Sequence, residues 1–495
     1  MMTTLIRRLR REEEGYALVI AILLLSVMMV LLVVALTAGN SALQGATDGI
    51  RWAKTLTVAE AGVNDAITRL GASRSAGNPC DMAGATVCSA EDGGEYQVGW
   101  ETEADGAIQI TSRGYFPSKA NAKYSREVQV TYEPVPTFRY AIYAQDALQI
   151  KNNPMIVGDV YSTNAVTVDN NNIVCGSITS ANGSVTLGNN AQVLKTYAPY
   201  NCTGQTGNVW TGGSGGIVGN LGVVIAGYAK ASNPTSVSAN CKGNFTSYQI
   251  TGGGTVQGNG TACGKITGPT VLGTSAPGTA STQPAVQTMP QFVFDPSNYT
   301  ALTCYPSAGT CGANTSSTAV ADFNTYVAAH KTNLSGAFAI WQTNPTQSTK
   351  INLDNLTNIA GDVTIATNAP IDFGNTNTIT TTAGSADMAV ISLYVPPSGT
   401  TCDTNGGDCS IYGQNAIQFS TGSPTDPNDG VVGLLYTTGK MSFKNSPPGN
   451  PWEGALYANS MDIKNGFDIV YNARVEQILG FGGAFEQTLW QEINV

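Results

Sequence analysis

Leu148-Gln149-Ile150-Lys151-Asn152-Asn153, Val166-Thr167-Val168-Asp169-Asn170-Asn171 and Val185-Thr186-Leu187-Gly188-Asn189-Asn190 repeat one six-residue phrase at offsets of 18 and 19 residues. Each alternates apolar and polar side chains, the pattern of a short strand with one buried face. A second apolar step follows the first two phrases, at Ile156-Val157-Gly158-Asp159-Val160 and Val174-Cys175-Gly176-Ser177-Ile178, and Val193 begins it after the third. Asn and Gly accept the left-handed backbone that tight corners need. A period near 20 with strands this short predicts a β-solenoid, a parallel β-helix whose coils bury their inward faces only by stacking. The alternative is a β-sandwich or jelly roll, which also has many short strands. The in-phase spacing favours the solenoid.

The same signal returns near the C-terminus. Gly433-Leu434-Leu435-Tyr436 followed by Met441-Ser442-Phe443-Lys444-Asn445 recurs as Gly454-Ala455-Leu456-Tyr457 followed by Met461-Asp462-Ile463-Lys464-Asn465. Gly361-Asp362-Val363-Thr364-Ile365 and Ile371-Asp372-Phe373 fit another coil between them. Residues 200–290, rich in glycine runs, and 291–345, with a helix-forming Ala319–Ala329, are expected to be insertions on the solenoid. The closing Leu489-Trp490-Gln491-Glu492-Ile493 is expected to cap the last coil.

Before the repeats, Glu133-Pro134-Val135-Pro136 marks a stiff linker, because proline fixes φ and removes a donor. Residues 95–100, 107–111 and 126–132 alternate apolar and polar side chains and predict a small three-stranded antiparallel sheet. Ser112-Arg113-Gly114-Tyr115 reads as the turn before the third strand. Further upstream, Leu56, Ala59, Val63, Ala66, Ile67 and Leu70 recur at helical spacing, with Arg51, Lys54, Glu60, Asp65 and Arg69 on the remaining surface. No proline interrupts residues 16–78, so one helix to about Leu70 is allowed. Gly39, Gly45 and Gly49 weaken its middle by up to about 1 kcal/mol each.

That helix begins in a membrane-spanning composition. Tyr16 to Ala38 carries no charge, and Arg7, Arg8, Arg10 and Arg11 precede it. The run is long enough to cross a bilayer, and the arginines favour a cytoplasmic amino end. An ordinary signal anchor would show the same features.

The junction Glu12-Glu13-Glu14-Gly15-Tyr16 before a long apolar helix resembles the class III signal of type IV pilins. The resemblance implies cleavage between Gly15 and Tyr16 by a prepilin peptidase, and N-methylation of Tyr16. Ala59-Glu60-Ala61-Gly62-Val63 resembles a stretch in PilX-like minor pilins and pilus assembly proteins. The likeness covers residues 12–133. Major pilins carry Glu at the fifth mature position, where it meets a neighbour's N-terminal amine. Here that position is Ile20, and pilin-like subunits of the GspK type, which sit at filament tips, also lack the carboxylate. The resemblance therefore implies a minor subunit that packs with other pilins and minor pilins through its helix, either at or near the tip or docked more weakly within the shaft. It would sit in the bacterial inner membrane before assembly and in an extracellular pilus or secretion filament afterwards.

The expected layout is a leader at 1–15, a transmembrane helical half at 16–38, an amphipathic half at 39–75, a sheet region at 76–133, a linker at 134–140 and a head at 141–495. The ten cysteines suit an exported, disulfide-bonded protein. Cys80 with Cys88, Cys304 with Cys311, and Cys402 with Cys409 form the simplest local pairs. Cys175, Cys202, Cys241 and Cys263 are left with three connectivities. Zinc is disfavoured, since the spacings match no common finger and His330 is the sole histidine. The loop with Asp403, Asn405 and Asp408 offers oxygen ligands for calcium, but it lacks the full twelve-residue calcium-loop pattern, which favours a plain disulfide turn. Asp159, Asp362 and Asp372 sit in repeat turns, where such side chains commonly bond nearby backbone. No cofactor is expected and no enzymatic activity, although β-helix polysaccharide enzymes remain one alternative. A surface adhesin with a carbohydrate or protein receptor is another. A net charge of −10, with no Lys/Arg cluster beyond residue 11, disfavours nucleic acid.

Overall fold

The computed structural model describes residues 2–493 apart from 73–77, 83, 92, 103–107, 135–137, 199–201, 234–240, 300, 308–310, 312–313, 375–377, 383, 403–406, 415–417, 420–429, 445–450 and 478–484. The chain forms two compact units, Met1–Val135 together with Gly483–Val495, and Pro136–Gly482.

The first unit is built on one helix, α1 (Met2–Ala72). Its later half packs on an antiparallel sheet of β1 (Cys88–Ser89), β2 (Glu95–Thr102), β3 (Ile108–Tyr115), β4 (Ser125–Pro134) and the C-terminal strand Phe485–Ile493, in that order. Val58, Ala59, Val63, Ala66 and Leu70 of α1 meet Tyr96, Val98, Ile108, Ile110, Val128 and Val130 in one buried cluster. Two glycines set how closely the layers approach. A Cβ on Gly62 would run into Ser112 and Tyr96, and one on Gly114 into the backbone of Thr55 and Ala59. This corrects the reading of residues 112–115 as a turn. They are the second half of β3, and Gly114 is there for contact with the helix.

The C-terminal strand is a second correction. It caps no coil. Trp490 lies opposite Val130 and Glu492 opposite Val128, antiparallel to β4, so this sheet has five strands rather than three. The second unit is therefore inserted in the chain between two neighbouring strands of the first.

The second unit is a three-faced parallel β-helix. Val166↔Val185 and Ile173↔Gln192 pair in parallel, one coil apart, as the repeat predicts. Its interior is one aliphatic column containing Ile150, Val168, Leu187, Ile217 and Ile250. At one corner Asn153, Asn171 and Asn190 are left-handed, with φ of 68°, 58° and 57°. The Asn190 side chain donates to Asn171 Oδ1 at 3.1 Å, tying successive corners together.

The chain enters this helix in its middle. From Ile142–Ala144 the first face runs through Val160–Ser162, Ile178–Ser180, Val209–Thr211, Ala229–Ala231, Gly260–Ala262 and Ser275–Pro277. It then restarts at the other end, at Leu302–Tyr305, and climbs through Leu334–Ile340, Asn358–Thr367, Ser385–Ser392, Gly430–Lys444 and Trp452–Lys464. The last of these strands lies on the first, with Leu456 opposite Ile142 and Met461 opposite Leu148.

Residues 209–277 are thus rungs of the solenoid, where the glycine runs suggested an insertion. The glycines serve close stacking: Gly252, at φ +101°, lies against Gly219 O where any side chain would collide. Within 291–345, α2 (Ala319–Ala329) buries Ala319, Val320, Phe323 and Val327 in the aliphatic column, beside the strand Leu302–Tyr305 that starts the second climb.

Candidate functional site

Two features distinguish the chain: an uncovered helix and a closed seam. From Val19 to Leu36, α1 exposes its apolar side chains, with Met28 71% and Leu31 62% exposed. The most apolar stretch of this helix has a mean hydropathy of 3.3, and none of it is buried. Among the described residues there is thus one helix long and apolar enough to cross a membrane. Such a surface is costly in water and fits either lipid or the packed helices of an assembly. Ile20 is 46% exposed on it. Gly15 and Tyr16 lie within the helical backbone, and their side chains are outside the described residues.

Beyond Thr55 the same helix changes character. Thr55 and Val58 are 1% and 2% exposed, and Ala59 is fully buried. The Ala59-Glu60-Ala61-Gly62-Val63 stretch is the part of α1 that sits against β3. Small residues are needed there because the helix axis approaches the sheet closely.

At the seam of the head, tyrosines on consecutive rungs stack outside the coil. Tyr143 lies 5.2 Å from Tyr161 and 5.1 Å from Tyr457, with interplanar angles of 15° and 3°. Tyr457 is in register with Tyr436. A strap of residues 281–294 crosses them. The hydroxyls of Tyr161, Tyr143 and Tyr436 donate to the carbonyls of Ala285, Gln287 and Pro290 at 3.2, 2.8 and 2.7 Å. Burial raises the Tyr436 pKa to about 12 and pushes those of Tyr143 and Tyr457 up as well, so all three hydroxyls stay protonated; that of Tyr457 accepts from Tyr140 N at 3.1 Å. Phe138, entering the head, meets Tyr457 edge-on at 4.7 Å. The sequence carried a signal for this ladder, because Tyr436 and Tyr457 occupy equivalent places in the C-terminal repeat.

The described cysteines form five disulfides: Cys80–Cys88, Cys175–Cys202, Cys241–Cys263, Cys304–Cys311 and Cys402–Cys409. The four cysteines whose pairing was open each join a neighbouring coil or corner. Asp403 and Asn405 lie outside the described residues, while Asp408 is described. Among the described residues no group of three or more His, Cys, Asp or Glu is placed to hold a metal.

Of the three aspartates expected in repeat turns only Asp159 lies outside a strand; Asp362 and Asp372 lie within Asn358–Thr367 and Ile371–Asp372, and the three act mostly between coils. Asp159 Oδ1 accepts from Ser177 N at 2.7 Å, and Asp362 Oδ1 from Asp387 N at 2.9 Å, each one rung on. Asp372 makes the local bond, accepting from Gly374 N at 2.7 Å, and also pairs with Lys350 at 2.7 Å. His330 follows α2, with Nδ1 2.8 Å from Tyr326 O and its ring stacked on Tyr326 at 4.0 Å. Both contacts are those of a helix-terminal side chain.

No family model matches the chain, and no match was found among curated proteins. Among solved structures, it aligns with the competence-associated pilin ComZ from Thermus thermophilus at 13% identity. That alignment covers 83% of this chain and 87% of the other, with a TM-score of 0.27, a level that carries no argument about fold or function.

Proposed function

We propose that this chain is a minor pilin-like subunit of a type IV pilus or related secretion filament. The observation that carries the reading is the division of α1. Val19 to Leu36 is apolar and uncovered, while Val58 to Leu70 is buried on an antiparallel sheet. A single continuous helix with those two halves can hold its globular part outside a membrane and then exchange lipid for neighbouring helices. The Gly15-Tyr16 junction supports removal of the leader by a prepilin peptidase and methylation of Tyr16. Five disulfides support an oxidising, extracellular destination.

Ile20 supports a low-copy position at or near the tip, where the chain contributes to assembly rather than to repeated shaft packing. A carboxylate buried among apolar helices is costly unless paired, and its absence costs least where no subunit lies ahead. The solenoid, spanning 142–470, would also crowd its neighbours in a regular shaft. In this reading the chain is a structural protein without catalytic activity.

The test is to shear filaments from cells and determine the mature N-terminus by mass spectrometry. Methylated Tyr16 on chains recovered with filaments is expected. An intact leader on chains that never leave the membrane fraction would end the proposal.

A further inference from the structure

Residues 196–294 contain Lys230, Lys242 and Lys265 but no Asp, Glu or Arg, in a chain of net charge −10. The rungs in this stretch therefore present a neutral to basic surface on an otherwise acidic protein. Lys230 is the informative member. It points outward from Ala229–Ala231, one rung from Trp210, and its ammonium lies 4.5 Å from the centre of that indole. The indole is fixed in turn. Trp210 Nε1 donates to Ser232 Oγ at 3.0 Å, and Ser232 meets Ser281 of the strap at 2.7 Å.

Around this pair the neighbouring rungs supply sugar-binding chemistry. Thr261 lies opposite Lys230 on the following rung. Tyr228, just before the strand that carries Lys230, is 37% exposed. Its backbone N–H donates to Asn208 Oδ1 at 2.9 Å, which sets the corner below it. Among the described residues, Lys230 takes part in none of the ion pairs, whereas Lys123, Lys151, Lys350 and Lys464 each hold an aspartate. Burial lowers the Lys230 pKa with nothing opposing it. Asp159 acts on Tyr228, but one of its oxygens is already engaged by Ser177.

A partly desolvated ammonium without a counter-ion, held on an aromatic ring, gains most from an incoming carboxylate. We propose that the shelf formed by Trp210, Tyr228, Lys230 and Thr261 binds an acidic polysaccharide. The exposed Tyr228 ring would receive the sugar C–H groups, Thr261 its hydroxyls and Lys230, braced on Trp210, its carboxylate. Duplex nucleic acid fits less well, because phosphate-backbone binding draws on many cations and this whole region holds three. The proposal stands apart from filament placement and would hold for a chain that remained in the membrane.

The experiment applies the full chain in detergent to immobilised polygalacturonate, dextran and duplex DNA. Retention on polygalacturonate that falls with added salt, with none on dextran, is expected. Lys230→Gln and Thr261→Asp should each weaken that retention about tenfold, the scale of one charge-assisted contact. Lys331→Gln, beyond α2, should leave it unchanged, and each variant should keep the wild-type melting curve. Failure of the wild type to bind, equal binding by Lys230→Gln and Thr261→Asp, or equal retention on DNA would each overturn the proposal.

Discussion

Leu456 lies opposite Ile142 in parallel register, so the last long strand of the head stacks directly on its first. One solenoid is thereby assembled from two runs of chain that each climb toward a shared seam. The seam carries the tyrosine ladder and the strap, and both ends of the inserted head reach it: Phe138 packs on Tyr457, and Tyr471 N bonds Val157 O at 2.8 Å. Neither run can complete its exposed edge without the other.

Tyr143 should therefore be a stability centre. It is 1% exposed and stacked on both sides. Tyr143→Ala is expected to cost about 3–5 kcal/mol by the cavity left in packed surroundings. Tyr143→Phe, which removes the hydroxyl shared between Gln287 O and Gln145 Oε1, should cost about 1 kcal/mol. Denaturant unfolding of the two variants measures both, and equal small losses would show that the seam is not closed by stacking.

Gly114→Val should separate the helix from its sheet, because the new side chain would meet the Thr55 and Ala59 backbone. Overpacking against backbone costs on the order of 1–3 kcal/mol or more. Hydrogen exchange over residues 58–70 is expected to accelerate while exchange in the solenoid core stays slow.

A charge in the uncovered half of α1 should block membrane residence. Leu31→Arg places it near the middle of the apolar run, where insertion is disfavoured by about 2.5–3.5 kcal/mol. Cell fractionation should show less of this variant in the membrane than of Leu43→Arg, which lies beyond Ala38 among Gly, Asn, Ser and Gln residues.

Mild acid should stabilise the fold. Burial raises the carboxyl pKa values of Asp159, Asp387 and Glu453, against weaker lowering by Ser177 for Asp159, Arg474 for Asp387, and Asn472 and Arg474 for Glu453. A carboxyl with a raised folded pKa favours the protonated form in the native state. Its contribution is complete below the unfolded value, 4.5 for Glu453, and is lost as pH rises through the folded value. Thermal melts should therefore shift upward as pH falls from neutral toward the unfolded value, 4.5 for Glu453, and Glu453→Gln should flatten part of that rise. A melting temperature that falls steadily over this range would contradict the assignment.

Loss of Cys175–Cys202, which closes a span of 27 residues in the head, should cost about 2–4 kcal/mol. The double serine variant should unfold at lower denaturant than the wild type.

Much of the architecture was legible in local pattern. The apolar phrases at Leu148, Val166 and Val185 announced their own coils, and Asn171 and Asn190 announced their corners, because both signals depend on a few adjacent residues. The helix was equally plain from its unbroken spacing. Residues 209–277 were harder to read. Their coils are held by glycine stacking, as at Gly252 on Gly219, and glycine leaves no periodic apolar mark. Trp490 misled for another reason: a strand shows its alternation in sequence but not its partner. The Lys230–Trp210 pair was invisible too, since the two are 20 residues apart and meet only because one coil separates them.

Local pattern alone is enough to specify a membrane-length apolar helix, a small alternating sheet and a stack of short coils. Each follows from side-chain periodicity along contiguous chain, which is enough to choose local backbone and its buried face. The order of stacking, the entry at mid-helix and the return of the last strand to β4 are settled in three dimensions. Those choices rest on complementarity between distant edges. Leu456 finds Ile142 and Trp490 finds Val130 through hydrogen bonding and packing that no local pattern encodes.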